Sequence, residues 1–161
     1  DELLKNPPTQ VEGTAVYLNA HIDYAPASFI NNVRLNHVIH KRIFFVNVTV
    51  WDVPYVKDAE RITYKEIGMS IYLVRAVYGF NESSDMLEIL RLTTLKIDLE
   101  FDLNETSFFA SREAISPKQL SGMSHLREEI FNWMLKNSAR QSDFFKIPVN
   151  SLMEFITKVK A

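Results

Sequence analysis

The run IFFVNVTVW, residues 43–51, constrains the fold more than any other stretch of this chain. It is dense in β-branched and aromatic residues, the side chains that suit a pleated, buried surface, and Pro54 stops it. A second short apolar run, GTAVYLN (13–19), follows a glycine and reads as a central strand. Between the two, Pro26 suits the first position of a helix, and Phe29, Ile30 and Val33 share one helical face that should end near Asn36. Strand, helix, strand implies a parallel pair joined by a right-handed crossover.

The rest of the chain extends this sheet. RITYKEI (61–67) alternates as a half-exposed strand, Gly68 and Met69 make a turn, and IYLVRAVYGF (71–80) returns as the other arm of an antiparallel hairpin. Asp85 with Glu88 three residues on is a capping-box spacing, which opens a helix over about 85–97. TSFFASR (106–112) is the next strand. Two helices are expected to finish the chain. Residues 125–139 gather Leu126, Ile130, Phe131, Met134 and Leu135 on one face. In 151–159, Ser151 and Glu154 make a second capping box ahead of Leu152, Phe155, Ile156 and Val159. The expected order is β-α-β-β-β-α-β-α-α: an α/β (α+β mixed) fold with a single-layer mixed sheet of about five strands packed by helices. Residues 1–12, with Pro7 and Pro8 among polar neighbours, read as a linker, and 13–161 as one domain.

Composition closes off several classes of function. The 161 residues contain no cysteine, which removes disulfides, thiolate nucleophiles and cysteine-ligated metals. A formal net charge of -2 gives no sign of a nucleic-acid-binding face. The most apolar run is nine residues and includes Asn47 and Thr49, against about 20 needed to cross a bilayer. The opening DELLKNPPTQ is not a signal peptide, and a chain that starts at Asp1 reads as a piece of something longer.

Chemistry-bearing residues are few. His37 and His40 form H-x-x-H near a helix end. They can share a metal or simply cap a helix and face water, and no third ligand lies near them in sequence. Ser107, Ser111 and Ser116 lack the G-x-S-x-G or S-x-x-K setting of a nucleophile. Four glycines in all, with no G-x-x-x-x-G-K-[ST] and no G-x-G-x-x-G, exclude the familiar phosphate cradles. Arg75, between Val74 and Ala76 in a strand, calls for a carboxylate such as Glu113, Glu60, Glu82 or Asp52, because a lone buried charge is costly. Arg112 and Glu113 stand side by side at the expected end of the 106–112 strand. They read as a catalytic corner, a ligand clamp or a salt-bridged strand end.

Read in order, these pieces resemble one family. Gly13 to Leu18 (G-T-A-V-Y-L) comes first, then Asn36-x-Val38-Ile39-His40-Lys41-Arg42. Asp52-Val53-Pro54, Glu60-Arg61, Arg75 and Tyr78-Gly79-Phe80-x-Glu82-x-x-Asp85 follow. Glu105-Thr106-Ser107-Phe108-Phe109 with Glu113, then Asn137 and Phe145-x-Ile147-Pro148-x-Asn150, complete the set. Together they resemble the C-terminal cytosolic domain of Kup-type potassium uptake permeases, the KUP/HAK/KT family, over residues 13 to about 154. Leu35, Ser84, Lys136, Ser138 and Phe155-Ile156 depart from the usual pattern.

The resemblance implies a potassium transporter, coupled to protons, on the cytoplasmic face of the bacterial inner membrane, with a membrane domain in the same polypeptide. It implies no catalysis, no cofactor, no metal and no transported-ion site in this piece, since transporters hold their ions near the bilayer midplane. The tail would serve a structural, dimerisation or regulatory role. A homodimer through this domain is one expectation; a sensor of a cyclic dinucleotide or another nucleotide, bound between Arg75 and Arg112 of two chains, is the alternative. A stand-alone small-molecule α/β enzyme is the rival from another class. Arg75, Arg112, Glu113, Glu82 and His40 are the candidate ligand or interface residues. The family holds Glu113 more firmly than an arginine at position 112, which implies an ion pair in which Arg75 answers Glu113.

Overall fold

The computed structural model describes residues 8–20, 24–68, 70–100, 102–115 and 145–159; for 112–115, 149 and 157–159 it describes the backbone alone. Six strands form one mixed sheet: β1 (Thr9–Leu18), β2 (Val38–Trp51), β3 (Ile62–Gly68), β4 (Ile71–Gly79), β5 (Thr106–Ile115) and β6 (Leu152–Val159). Their spatial order is β3-β4-β2-β1-β5-β6. Every neighbouring pair is parallel except the β3–β4 hairpin. Among the described residues three helices lie between strands: α1 (Ala27–Asn36), a four-residue α2 (Asp58–Arg61) and α3 (Met86–Lys96).

The sheet is covered on both faces, as a parallel sheet requires. On one face Val16, Phe44, Val46, Val74, Ala76 and Phe108 meet Met86, Ile89 and Leu90 of α3. On the other, Ala15, Tyr17, Ile43, Phe45 and Phe109 pack with Phe29 of α1. This is why GTAVYLN reads as continuously apolar: Ala15, Val16 and Tyr17 are each fully buried, alternating between the two faces. Tyr17 stacks on Phe109 with ring centroids 4.6 Å apart and meets Phe29 edge-on at 5.3 Å. Its hydroxyl accepts a 3.0 Å hydrogen bond from the Asn32 side chain, which satisfies it inside the core. Burial still pushes the Tyr17 phenol up to about 12.

Local signals placed α3 well. Asp85 is its N-cap and accepts from the Leu87 and Glu88 amides, at 2.9 and 3.4 Å. Pro26 sits one position earlier than expected, at the N-cap of α1. His37 closes α1 in the left-handed conformation (φ 54°) and donates its backbone N–H to the Val33 carbonyl, the capping role among its two readings. Strands β1 and β2 begin earlier than their apolar runs. Thr9 pairs with Val38, so residues 9–12 join the sheet instead of forming a linker.

The expectation of a last helix over 151–159 is overturned. A single 3₁₀ turn at Val149–Ser151 leads into β6, parallel to β5, with Phe108 opposite Leu152 and Ile115 opposite Val159. Among the described residues the sheet therefore has six strands, against the expectation of about five. Nine residues are too few to make a stable helix without packing. Phe155, Ile156, Thr157 and Val159 favour a strand, and the open edge of β5 supplies backbone partners. The spacing that fits a helix also fits alternation: Leu152 packs against the α3-side core and Phe155 against the α1-side core. The helix expected over 125–139 lies outside the described residues.

Candidate functional site

The densest polar constellation among the described residues is built around Glu82, just past the end of β4. Glu82 Oε1 accepts a 2.7 Å hydrogen bond from Arg61 Nη2, and its Oε2 accepts the backbone amides of Gly79 at 2.6 Å and Val56 at 3.0 Å. The Arg61 side chain is 8% exposed and that of Glu82 15%. Arg61 also donates to the Val56 carbonyl at 3.0 Å and to Asp58 Oδ1 at 3.3 Å, and lies 4.8 Å over the Tyr78 ring. The guanidinium hydrogen bond and the two amides hold the Glu82 carboxyl down at about 2 despite burial, while the same pairing raises Arg61. Burial pushes the Tyr78 phenol up.

Backbone packing tightens the same corner. Phe80 donates its N–H to the Val53 carbonyl at 2.9 Å and Asn81 to that of Pro54 at 3.2 Å. A Cβ on Gly79 would collide with the Pro54 carbonyl and the Tyr55 nitrogen, so this approach of loop to strand requires glycine. The motifs Asp52-Val53-Pro54, Glu60-Arg61 and Tyr78-Gly79-Phe80-x-Glu82 thus converge on one structural unit. Both carboxylate oxygens of Glu82 are occupied and the group stays ionised at neutral pH. It is a half-buried staple: three of its roughly four lone-pair sites are filled by protein donors, and it has no proton to exchange near pH 7.

The other candidate residues are scattered. Arg75 lies in β4 between Asn47 of β2 and Thr63 of β3, and it is exposed instead of buried. Its long side chain thus escapes the desolvation that would have demanded a carboxylate. Among the described residues it makes no ion pair, and Glu82, one of its expected partners, belongs to Arg61. β5 runs on to Ile115, so Arg112 and Glu113 fall within the strand, opposite Ile156 and Thr157 of β6, not at its end. β2 and β1 lie between β4 and β5, which separates Arg75 from residues 112 and 113 by about 14 Å at the usual strand spacing. One chain therefore does not bring Arg75 to Glu113, or the two arginines to each other.

His40 is half-buried in β2, with its ring edge-on to Phe109 at 5.9 Å and its Nδ1 unpartnered. Burial lowers its pKa, so the ring is neutral at pH 7 and acts in packing. No group of three or more His, Asp or Glu side chains is placed to hold a metal among the described residues. Ser107 and Ser111 are partly buried in β5, opposite Ala15 and Phe155 respectively. Ser116 lies outside the described residues. Sequence reasoning missed the importance of Arg61. Its only signal was the Glu60-Arg61 landmark, because the partner lies 21 residues away.

Comparison with known proteins agrees with the convergence of these motifs. The family model described as "K+ potassium transporter C-terminal domain" matches residues 12–160. A protein of Polynucleobacter asymbioticus named "Probable potassium transport system protein Kup" is 54% identical over 160 residues, covering 99% of this chain and 25% of its own length. Proteins of the same name from Cupriavidus metallidurans and Paraburkholderia xenovorans are each 44% identical over 158 residues, covering 98% of this chain and 25% of their own lengths. The chain thus spans about a quarter of the length of the curated relatives it matches. No solved structure matches it. The motifs that meet around Glu82, the match across residues 12–160 and the identity to these relatives place the chain in the family of potassium transporter C-terminal domains.

Proposed function

We propose that this chain is the cytosolic C-terminal module of a potassium uptake transporter that couples potassium to protons, and that it shapes the assembly or regulation of the transporter without translocating the ion. The observation that carries this reading is the match of nearly the whole chain to one quarter of relatives named for potassium transport. The remaining three quarters of such a protein is where a path across the bilayer belongs. Among the described residues no helix is long and apolar enough to cross a membrane. A dehydrated potassium ion needs a cage of oxygens at the bilayer midplane, which a domain of this kind does not reach. The staple of Glu82 suits a rigid docked module, with its polar groups spent on holding a loop.

The test is uptake by the full-length protein with and without residues 9–161, in cells stripped of their other potassium systems. Deletion is expected to change transport rate, abundance or regulation while leaving the preference for potassium over sodium intact. Arg112→Ala in the full-length protein is expected to behave likewise. A changed ion preference in either variant would overturn the assignment.

A further inference from the structure

The staple around Glu82 fixes a loop whose side chains no described residue buries. Residues 50–55, VWDVPY, are all exposed, and Val50, Trp51, Val53 and Tyr55 among them are large and apolar. Trp51 pairs with Gly79 across β2 and β4, and Phe80, 58% exposed, donates its N–H to the Val53 carbonyl. These residues form one tip at the carboxyl ends of β2 and β4. Single exposed apolar residues are ordinary, but a run of them on adjoining strand ends marks a contact surface. The tip is held on every side. Val56 gives its amide to Glu82 and its carbonyl to Arg61, and Asn81 donates to the Pro54 carbonyl. An ion pair and an obligatory glycine thus hold a loop that faces outward. A surface ordered before contact avoids the ordering cost of binding, which favours a docking role. The tip is also set apart from other attachments. β1 lies between β2 and β5, from whose end residues 116–144 depart. Thr9 enters the sheet beside Val38, at the opposite end of β2.

Charge indicates which partner fits. Asp52 lies within the tip, and Asp58 and Glu60 follow it on the exposed side of α2. Lys57 alone stands against them, because Arg61 is matched by Glu82. An acidic surround is repelled by the anionic headgroups of a cytoplasmic leaflet, so the aromatic side chains do not serve as a lipid anchor. It favours a cationic partner, and the cytoplasmic loops of membrane proteins carry an excess of Lys and Arg. We infer that the tip, residues 50–55 with Phe80, is the surface by which this domain docks on the Lys/Arg-rich cytoplasmic loops of the transporter's membrane domain. The aromatic side chains seat among those loops, and Asp52, Asp58 and Glu60 supply the matching charge at the rim. This rests on the transporter reading above and names its docking surface. Uptake after deletion tests that reading and cross-linking tests this one, so the two fail separately.

The test is photo-crosslinking in the full-length protein in native membranes, with p-benzoylphenylalanine in place of Tyr55 or of Phe80. Irradiation should join either position to a membrane-domain loop, and mass spectrometry should map the product to a segment rich in Lys and Arg. The same probe in place of Tyr64, an exposed aromatic residue of β3, should give no such product. Asp52→Lys combined with Glu60→Lys should lower the yield from Phe80 about fivefold, as two rim charges are reversed. The 161-residue chain with these two changes should unfold at the parent's urea midpoint, because both residues are exposed. Cross-linking from Tyr55 and Phe80 no greater than from Tyr64 would overturn the proposal. So would a product that is lipid or a second copy of this domain, or a yield indifferent to the charge reversal.

Discussion

Replacing Glu82 by Gln tests the staple directly. The substitution keeps the shape and one carbonyl acceptor but removes the charge from beside Arg61, whose side chain is 8% exposed. Asp58 stays within 3.3 Å of Arg61, yet it is 84% exposed and well solvated, so it compensates poorly. The carboxyl of Glu82 falls from an ordinary 4.5 to about 2 in the folded chain. At 1.36 kcal/mol per unit, the ionised group contributes about 3 kcal/mol at pH 7, close to the roughly 3–5 kcal/mol lost when a buried pair is broken on one side. A depressed folded pKa stabilises above the unfolded value, and the benefit is lost as pH falls through the folded one. By that linkage the contribution is nearly complete at pH 5 and falls to about 1 kcal/mol at pH 3. Urea unfolding followed by far-UV circular dichroism should show Glu82→Gln less stable by about 3 kcal/mol at pH 7, a midpoint shift of about 1–2 M. The gap should narrow by about 2 kcal/mol at pH 3. A gap of the same size at both pH values would refute the claim that the ionised carboxylate is what matters. A gap below about 0.5 kcal/mol at pH 7, the range of ordinary surface substitutions, would refute the staple altogether.

Two further changes probe the same architecture. Gly79→Ala forces a methyl group into the Pro54 carbonyl, so thermal melts should fall by roughly 6–12 °C for a loss of about 3 kcal/mol; an unchanged melting temperature would mean that the loop yields freely. Asp85→Ala removes the acceptor for the Leu87 and Glu88 amides and should cost about 1 kcal/mol in urea unfolding, while Asp85→Asn, which keeps an oxygen at the cap, should cost much less.

Much of the fold was legible where short-range chemistry decides it. Asp85 caps α3 because its oxygen lies two and three residues from the amides it accepts. The apolar continuity of residues 15–18 announced a strand buried on both faces. The site was less legible. Arg75 reads as buried from its neighbours in sequence, but strand alternation alone does not say which points of a sheet are covered, and Arg75 is exposed. Glu82 reads from sequence as a candidate ligand or interface residue, and in the structure both of its oxygens accept hydrogen bonds, from Arg61, Gly79 and Val56.

The sequence by itself determined the class of the fold, its capped helix and buried strands, and its family, since these rest on local hydrogen bonds, on hydrophobic period and on motifs in colinear order. Tertiary structure alone decided three things. It made SLMEFITKV a strand, because the open edge of β5 offers backbone partners that a nine-residue helix would have had to find within itself. It chose Arg61 over Arg75 as the partner of Glu82, because pairing of charges far apart in sequence depends on which loop returns to which strand end. It placed β6 at one end of the strand order among the described residues, because which strand ends a sheet depends on pairings between segments far apart in the chain.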